Sequence, residues 1–155
     1  MKKNIGFKEA RELIIESIPR IDTETLPLDK IAGRVTAKDL FSRLDIPSRD
    51  ISFYDGYALI SDEVSSAGPD SGVNLEIIGQ ITAGNPDGKI IVSPGKAVRI
   101  TSGAHIPEGA DAVIAEEFCK VDGKKLLCLN IAEKGRNIIK KGTDLKIGEL
   151  LIGNG

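Results

Sequence analysis

Phe53-Tyr54-Asp55-Gly56-Tyr57-Ala58, taken with Val98-Arg99-Ile100-Thr101-Ser102-Gly103-Ala104-His105-Ile106-Pro107, decides how this chain folds. The first stretch sets a carboxylate beside a glycine and between two tyrosines, shortly after the turn formers Pro47-Ser48-Arg49-Asp50. The second carries an apolar strand into a Thr-Ser-Gly-Ala corner and on to Pro-Glu-Gly-Ala-Asp-Ala-Val. Both have the texture of short strands that begin and end at small or polar residues, which presents polar side chains at strand ends.

Outward from these two stretches the same texture continues. Strands are expected near 57–60, 73–82, 90–92, 97–101, 112–121 and 124–130. Asn85-Pro86-Asp87-Gly88 places Pro and Gly where a type I turn and its exit want them. Val121-Asp122-Gly123-Lys124 is a hairpin signal. With Asp122-Gly123 as its loop, Cys119 lies opposite Leu126 and Cys128 becomes a diagonal neighbour, about 7–8 Å away and beyond disulfide reach. Short strands at this spacing, with 17 glycines in the chain, predict a small barrel-like β-domain.

Before this region Phe7, Ala10, Ile14, Ser17 and Ile18 fall at helical spacing, with Leu13 widening the stripe and Pro19 ending it. A short helix follows around 26–33, closed by Gly33, and 35–44 reads as extended. Turn-rich breaks at 45–50 and 133–137 bracket the β-region. The predicted class is therefore α+β and predominantly β. An elongated platform of 1–48 plus 135–155, with one N-terminal helix, carries an inserted β-domain of 49–134.

The charge balance narrows the function. Twenty-one basic and 23 acidic residues leave a net charge of −2, which argues against a nucleic-acid partner. The longest apolar runs are too short to span a bilayer, and the charged residues among 1–12 interrupt any signal-peptide core. Two cysteines with no histidine or cysteine at zinc spacing suit reduced thiols in a cytoplasmic setting. A 41% hydrophobic content supports a core without staples.

Asp55 is the foremost candidate for chemistry. A hard carboxylate oxygen suits Mg²⁺, and the adjacent Gly56 would let backbone approach a ligand closely; an Asp-Gly turn is the plain alternative. Thr101-Ser102-Gly103 offers hydroxyl and backbone donors to an oxyanion, or else caps a strand end. His105, the sole histidine, reads as a loop residue. Lys134, Arg136, Lys140 and Lys141 cluster beside Asp144, forming either a solvated face or an attractor for an anionic ligand. No P-loop or dinucleotide fingerprint occurs.

The ordered set of Leu44-Asp45-Ile46-Pro47, Asp55-Gly56-Tyr57-Ala58, Ala83-Gly84, Val98-Arg99-Ile100, Gly109-Ala110-Asp111-Ala112-Val113, Gly135-Arg136-Asn137-Ile138 and Lys141-Gly142-Thr143-Asp144 resembles the molybdopterin molybdenumtransferases, the MoeA and gephyrin E-domain family. The likeness runs over essentially the whole chain. It implies insertion of molybdenum into the pterin dithiolene from adenylylated molybdopterin and molybdate, with Mg²⁺ or a similar ion and release of AMP. The family's functional aspartate matches Asp55, its hydroxyl residue before glycine matches Ser102, and its late aspartate matches Asp144. Lys140 and Lys141 keep positive charge where the family carries arginine at the position of Ile139. Ile51-Ser52-Phe53-Tyr54 replaces the usual Asn-Ser-Ala-Met, and Thr143 replaces an acidic residue.

The resemblance further implies a third, pterin-binding α/β domain beyond residue 155, a homodimer at full length, and a site shared between subunits. On that expectation this chain alone is inactive and supplies Asp55, Ser102 and Asp144 to a composite site. The rival expectation is a non-catalytic dimerisation or scaffold module related to the same family.

Overall fold

The computed structural model describes residues 4–19, 21–84 and 90–155, so the turn expected at Asn85-Pro86-Asp87-Gly88 lies outside the described residues. Contacts divide the chain into two compact units, Met1–Leu40 with Ile152–Gly155, and Phe41–Leu151.

In the smaller unit one helix, α1 (Phe7–Ser17), occupies the predicted stretch. Its C-terminal end is closed by the Ile18 N–H donating to the Ile14 carbonyl and by the Ser17 hydroxyl donating to the same oxygen. None of its residues is buried. The expected second helix is a single turn, Leu28–Lys30. The returning C-terminus is held to this unit by Thr36, whose hydroxyl donates to the Gly153 carbonyl, and by Asp39, which accepts the Asn154 N–H.

The first short strand, β1 (Leu40–Phe41), and the last, β10 (Leu150–Ile152), span the division between units. Within the larger unit β2 (Ile51–Ser52) pairs antiparallel with β9 (Ile138–Ile139). The remaining strands form one six-stranded sheet: β3 (Gly56–Leu59), β4 (Val73–Ile81), β5 (Lys96–Ile100), β6 (Ala112–Ala115), β7 (Cys119–Asp122) and β8 (Lys125–Cys128), in the order β6-β3-β5-β4-β8-β7. The pairings are antiparallel except β4 with β5. That pair carries a bulge between Ile77 and Gly79, which bends the sheet. The sheet curls into a half-barrel whose edges are β6 and β7, matching the predicted predominantly β, barrel-like class.

Alternation along the strands puts apolar side chains on both faces. Tyr57, Leu59, Leu75, Ala97, Ile114, Leu126 and Cys128 form one core cluster. Ala58, Ile81, Val98, Ile100 and Val113 form the other. Covering both faces explains the near-continuous apolar runs at 97–100 and 112–115. Burial of each larger side chain contributes roughly 1.5–3 kcal/mol.

Three expectations need correction. The long strand at 112–121 is two strands, because Glu116–Phe118 forms a single helical turn that takes the chain from one sheet edge to the other. The strand near 90–92 is one bridge, Ile91 with Glu108. The β7–β8 hairpin is shifted in register: its loop is Gly123-Lys124, so Cys119 faces Cys128 and Val121 faces Leu126. Gly123 has φ +59°, whereas among the described non-glycine residues only Asn4 and Asn137 have positive φ. Glycine at the first central position alone makes a type II′ loop, not the type I′ loop that Asp-Gly suggested.

Candidate functional site

The Phe53–Asp55 segment joins β2 to β3, and the backbone around it is fixed on three sides. The Ser52 N–H donates to the Ala104 carbonyl (2.9 Å), and the Gly103 N–H donates back to the Ser52 carbonyl (2.8 Å). The Phe53 N–H donates to the Asn137 carbonyl (2.9 Å). Ser52 is 1% exposed, and its hydroxyl donates to the Tyr54 carbonyl at 2.6 Å. A buried hydroxyl of this kind stays in place because leaving it unpaired costs about 1–3 kcal/mol.

This scaffold brings Asp55 and Ser102 together. The Ser102 N–H donates to Asp55 Oδ1 at 2.7 Å, and the Ser102 hydroxyl donates to the Phe53 carbonyl at 3.0 Å. Both side chains are exposed. The loop that presents Ser102 turns at Gly103, φ +78°, a conformation glycine enters without strain. The Asp55 carbonyl accepts the Glu116 N–H (3.2 Å), tying the segment to the end of β6.

Gly56 does something other than admit a ligand. A Cβ there would sit 2.1 Å from the Ile114 carbonyl oxygen and 3.0 Å from Ala115 Cα. The missing side chain makes room for the neighbouring strand β6, so Gly56 serves sheet packing and only Asp55 points to chemistry.

The other expected residues sit elsewhere on the unit. Asp144 is exposed beside Ile46, whose carbonyl accepts its N–H at 2.9 Å. Among the described residues no hydrogen bond or ion pair joins it to Asp55 or Ser102. Lys140 Nζ contacts Asp50 Oδ2 at 2.8 Å, and Lys141 Nζ contacts Asp45 Oδ2 at 3.2 Å. Hydrogen bonds from the Lys140 ammonium and the Lys141 N–H hold the Asp50 carboxyl below its ordinary range. The Ile147 N–H and Lys141 do the same for Asp45. Arg136 pairs with Glu133 at 3.3 Å. The basic cluster is thus largely engaged with internal carboxylates.

His105 bridges Ile51, and its Nδ1 is buried without a hydrogen-bond partner among the described residues. Asn137, noted in the sequence only as part of the Gly135-Arg136-Asn137-Ile138 motif, is a positioning residue. Its backbone adopts φ +56°, its carbonyl holds Phe53, and its side-chain amide donates to the Val113 carbonyl at 2.8 Å. Its signal was an asparagine following the turn former Gly135, since asparagine tolerates the left-handed region better than most residues. Asp111 is likewise a clasp: Oδ1 accepts the Ser61 N–H (2.7 Å) and Oδ2 the Ser61 hydroxyl (3.1 Å).

Among the described residues no group of three or more His, Cys, Asp or Glu side chains could by itself hold a metal ion. Among the described residues no helix is long and apolar enough to cross a membrane. Chemically, the Asp55–Ser102 corner offers one free carboxylate oxygen and a hydroxyl beside exposed backbone. Because both Ser102 donors are already spent on Asp55 and Phe53, the corner suits a cation that brings its remaining ligands with it, not an oxyanion held by Ser102 itself.

Comparisons with known proteins agree with this architecture. The model of the MoeA N-terminal region, domains I and II, matches residues 5–155. A molybdopterin molybdenumtransferase of Haemophilus influenzae is 34% identical over 153 residues, covering 97% of this chain and 36% of that protein. One from Staphylococcus aureus strain Mu50 is 33% identical over 155 residues, covering 99% and 37%. The crystal structure of the molybdopterin biosynthesis moeA protein from Pyrococcus horikoshii OT3 superposes with a TM-score of 0.87 at 37% identity, covering 99% of this chain and 40% of that one. The chain therefore spans between a third and two fifths of the proteins it matches, and it belongs to the MoeA N-terminal region family, the domain I and II portion of molybdopterin molybdenumtransferases.

Proposed function

We propose that this chain supplies one wall of a molybdenum-insertion site that acts on adenylylated molybdopterin and molybdate. The observation that carries this reading is the 2.7 Å meeting of Asp55 with the Ser102 N–H. Two motifs separated by 47 residues converge there, in a chain of this family.

Asp55 is the residue that would hold Mg²⁺. One of its oxygens already accepts a hydrogen bond, and the second, on an exposed residue, fits an ion that takes one or two carboxylates and completes its shell with water and phosphate. Bound there, the ion would supply positive charge to an otherwise repulsive pair, a carboxylate and an anionic ligand. Ser102 orients Asp55 through its N–H. Asp144 belongs to the same catalytic set from its separate place beside Ile46, and Lys140 and Lys141, paired with Asp50 and Asp45, are the cations that anionic ligands would draw on.

The remaining parts of the reading are a homodimer at full length, a third domain that binds the pterin, and a cytoplasmic setting consistent with the free Cys119 and Cys128. The domain limits 1–48 plus 135–155, and 49–134, belong to the same proposal, and limited proteolysis with mass mapping of the fragments tests them. A second reading, a dimerisation or scaffold module without turnover, draws support from α1, which leaves Phe7, Leu13, Ile14 and Ile18 exposed.

The discriminating experiment mixes this chain with a separately made pterin-binding third domain, adenylylated molybdopterin, molybdate and Mg²⁺. Metal insertion only in the mixture, lost with Asp55→Asn, is the expected outcome. Turnover by this chain alone would overturn the shared site, and binding without turnover in the mixture would favour the scaffold.

A further inference from the structure

The two residues between the buried Ser52 and Asp55 are aromatic, and the described residues leave about half of each uncovered. Phe53 is 52% exposed and Tyr54 47% exposed. Their ring centroids are 4.7 Å apart with planes at 82°, an edge-to-face contact in which one ring stands against the other and forms a right-angled corner. The backbone beneath them is the part of the site held most firmly: the Phe53 N–H and carbonyl and the Tyr54 carbonyl are all hydrogen-bonded, to Asn137, Ser102 and Ser52 respectively. The hydroxyl that fixes Phe53 belongs to Ser102, whose N–H fixes Asp55. The aromatic corner and the carboxylate therefore move as one piece.

We propose that Phe53 and Tyr54 are a stacking platform for the planar nitrogen heterocycle of the ligand whose anionic part is handled at Asp55. This rests on the functional reading above and extends it to substrate contact. Exposed aromatic side chains lose little conformational entropy on binding, because only two torsions need fixing. A heterocycle laid on one ring and edge-on to the other repeats the perpendicular geometry that the pair already adopts. The pre-fixed backbone removes most of the ordering cost that a mobile aromatic loop would carry. Adenylylated molybdopterin offers two such rings, the adenine and the pterin, each linked to phosphate, so the shared chemistry is a heteroaromatic ring with a nearby oxyanion.

The test is ¹H NMR of the 155-residue chain titrated with adenosine, AMP, a pterin and ribose 5-phosphate. The tyrosine signals separate cleanly, since the protein has two tyrosines and the other, Tyr57, is buried. Stacking moves ligand ring protons upfield and shifts the Tyr54 resonances saturably. Adenosine and AMP, or the pterin, should do this, whereas ribose 5-phosphate should not. Tyr54→Leu should weaken the interaction about ten-fold, the range typical of one base–aromatic stack, and Tyr54→Phe should restore it. Phe53→Ala should act similarly, with circular dichroism showing an unchanged fold. A second readout separates this inference from the metal role of Asp55. Mg²⁺ should tighten AMP but not adenosine, and Asp55→Asn should remove that tightening while leaving the adenosine shift intact. Adenosine stacking without any Mg²⁺ effect keeps the platform and discards the Asp55 metal site. Absence of saturable shifts with all ring ligands, or shifts equal in wild type and Tyr54→Leu, would overturn the platform.

Discussion

Gly56→Ala separates the structural from the chemical half of the Asp55-Gly56 motif. The added methyl carbon would lie 2.1 Å from the Ile114 oxygen, against backbone that has no rotamer to adopt. Reaching ordinary contact means parting β3 from β6 by about 1 Å, at the point where Gly56 faces Ala115 and the Glu116 N–H reaches the Asp55 carbonyl. Overpacking of this kind costs about 1–3 kcal/mol, and a weakened ladder hydrogen bond adds about 1 kcal/mol. The expected loss is therefore about 2–4 kcal/mol, a large part of the 5–15 kcal/mol typical of a domain, or a fall in Tm of roughly 5–15 °C. Urea unfolding followed by far-ultraviolet circular dichroism and tyrosine emission measures it. Gly68→Ala is the control, because its nearest neighbour is the movable Ser71 hydroxyl at 3.3 Å and its φ is ordinary; it should change stability by no more than about 0.5 kcal/mol. A Gly56→Ala loss as small as the control's would refute the packing argument and return Gly56 to ligand approach.

Asp111→Ala should destabilise the chain by about 2 kcal/mol, because the buried Ser61 loses the acceptor for both its N–H and its hydroxyl; denaturant titration with an effect below about 0.5 kcal/mol would contradict this. Asp45 and Asp50 both titrate below the usual carboxylate value in the fold. The unfolded chain therefore takes up protons first on acidification, so their stabilisation is complete above about pH 4 and disappears as pH falls through the lowered folded values. The double variant Asp45→Asn, Asp50→Asn should show a shallower acid limb in stability against pH, and an unchanged limb would refute the assignment. Cys119 and Cys128 should both titrate as free thiols in unreduced protein. The Leu129 N–H donates to the Phe118 carbonyl, so the cysteine pair occupies the non-hydrogen-bonded position, where Cα atoms are about 4.5 Å apart. That spacing permits a disulfide. Excess glutathione disulfide should consume both thiols with loss of two hydrogens from the protein, and persistent mixed disulfides would show that the side chains point apart.

What could be read from the residues followed the range of the interaction. Strands with alternating or continuous apolar runs and glycine punctuation were legible because their cause is local. The break at Glu116–Phe118 was not, since no turn former marks it and its cause is the need to pass between sheet edges. The hairpin register turned on Asp122, which is not among the positive-φ residues a type I′ Asp-Gly loop requires, so that Gly123 alone turns left-handed. The engagement of Lys140 and Lys141 with Asp50 and Asp45 depends on partners 90 and 96 positions away in sequence, visible only once 45–51 and 139–145 lie side by side. Asp55 and Ser102 were named from their residue chemistry and then from motif likeness; the N–H that joins them is a property of the fold.

Helix α1 buries none of its eleven residues, and Phe7 remains 85% exposed. Eleven residues are too few for a helix to hold itself firmly in water. The stability of this segment is therefore not an intrinsic constant but depends on whatever covers its apolar stripe, by mass action. If that cover is another molecule, dilution acts on the N-terminus as a mild denaturant, and the same chain at nanomolar and at micromolar concentration has two different helical contents. Protein concentration then becomes a thermodynamic variable of this helix, on the same footing as temperature.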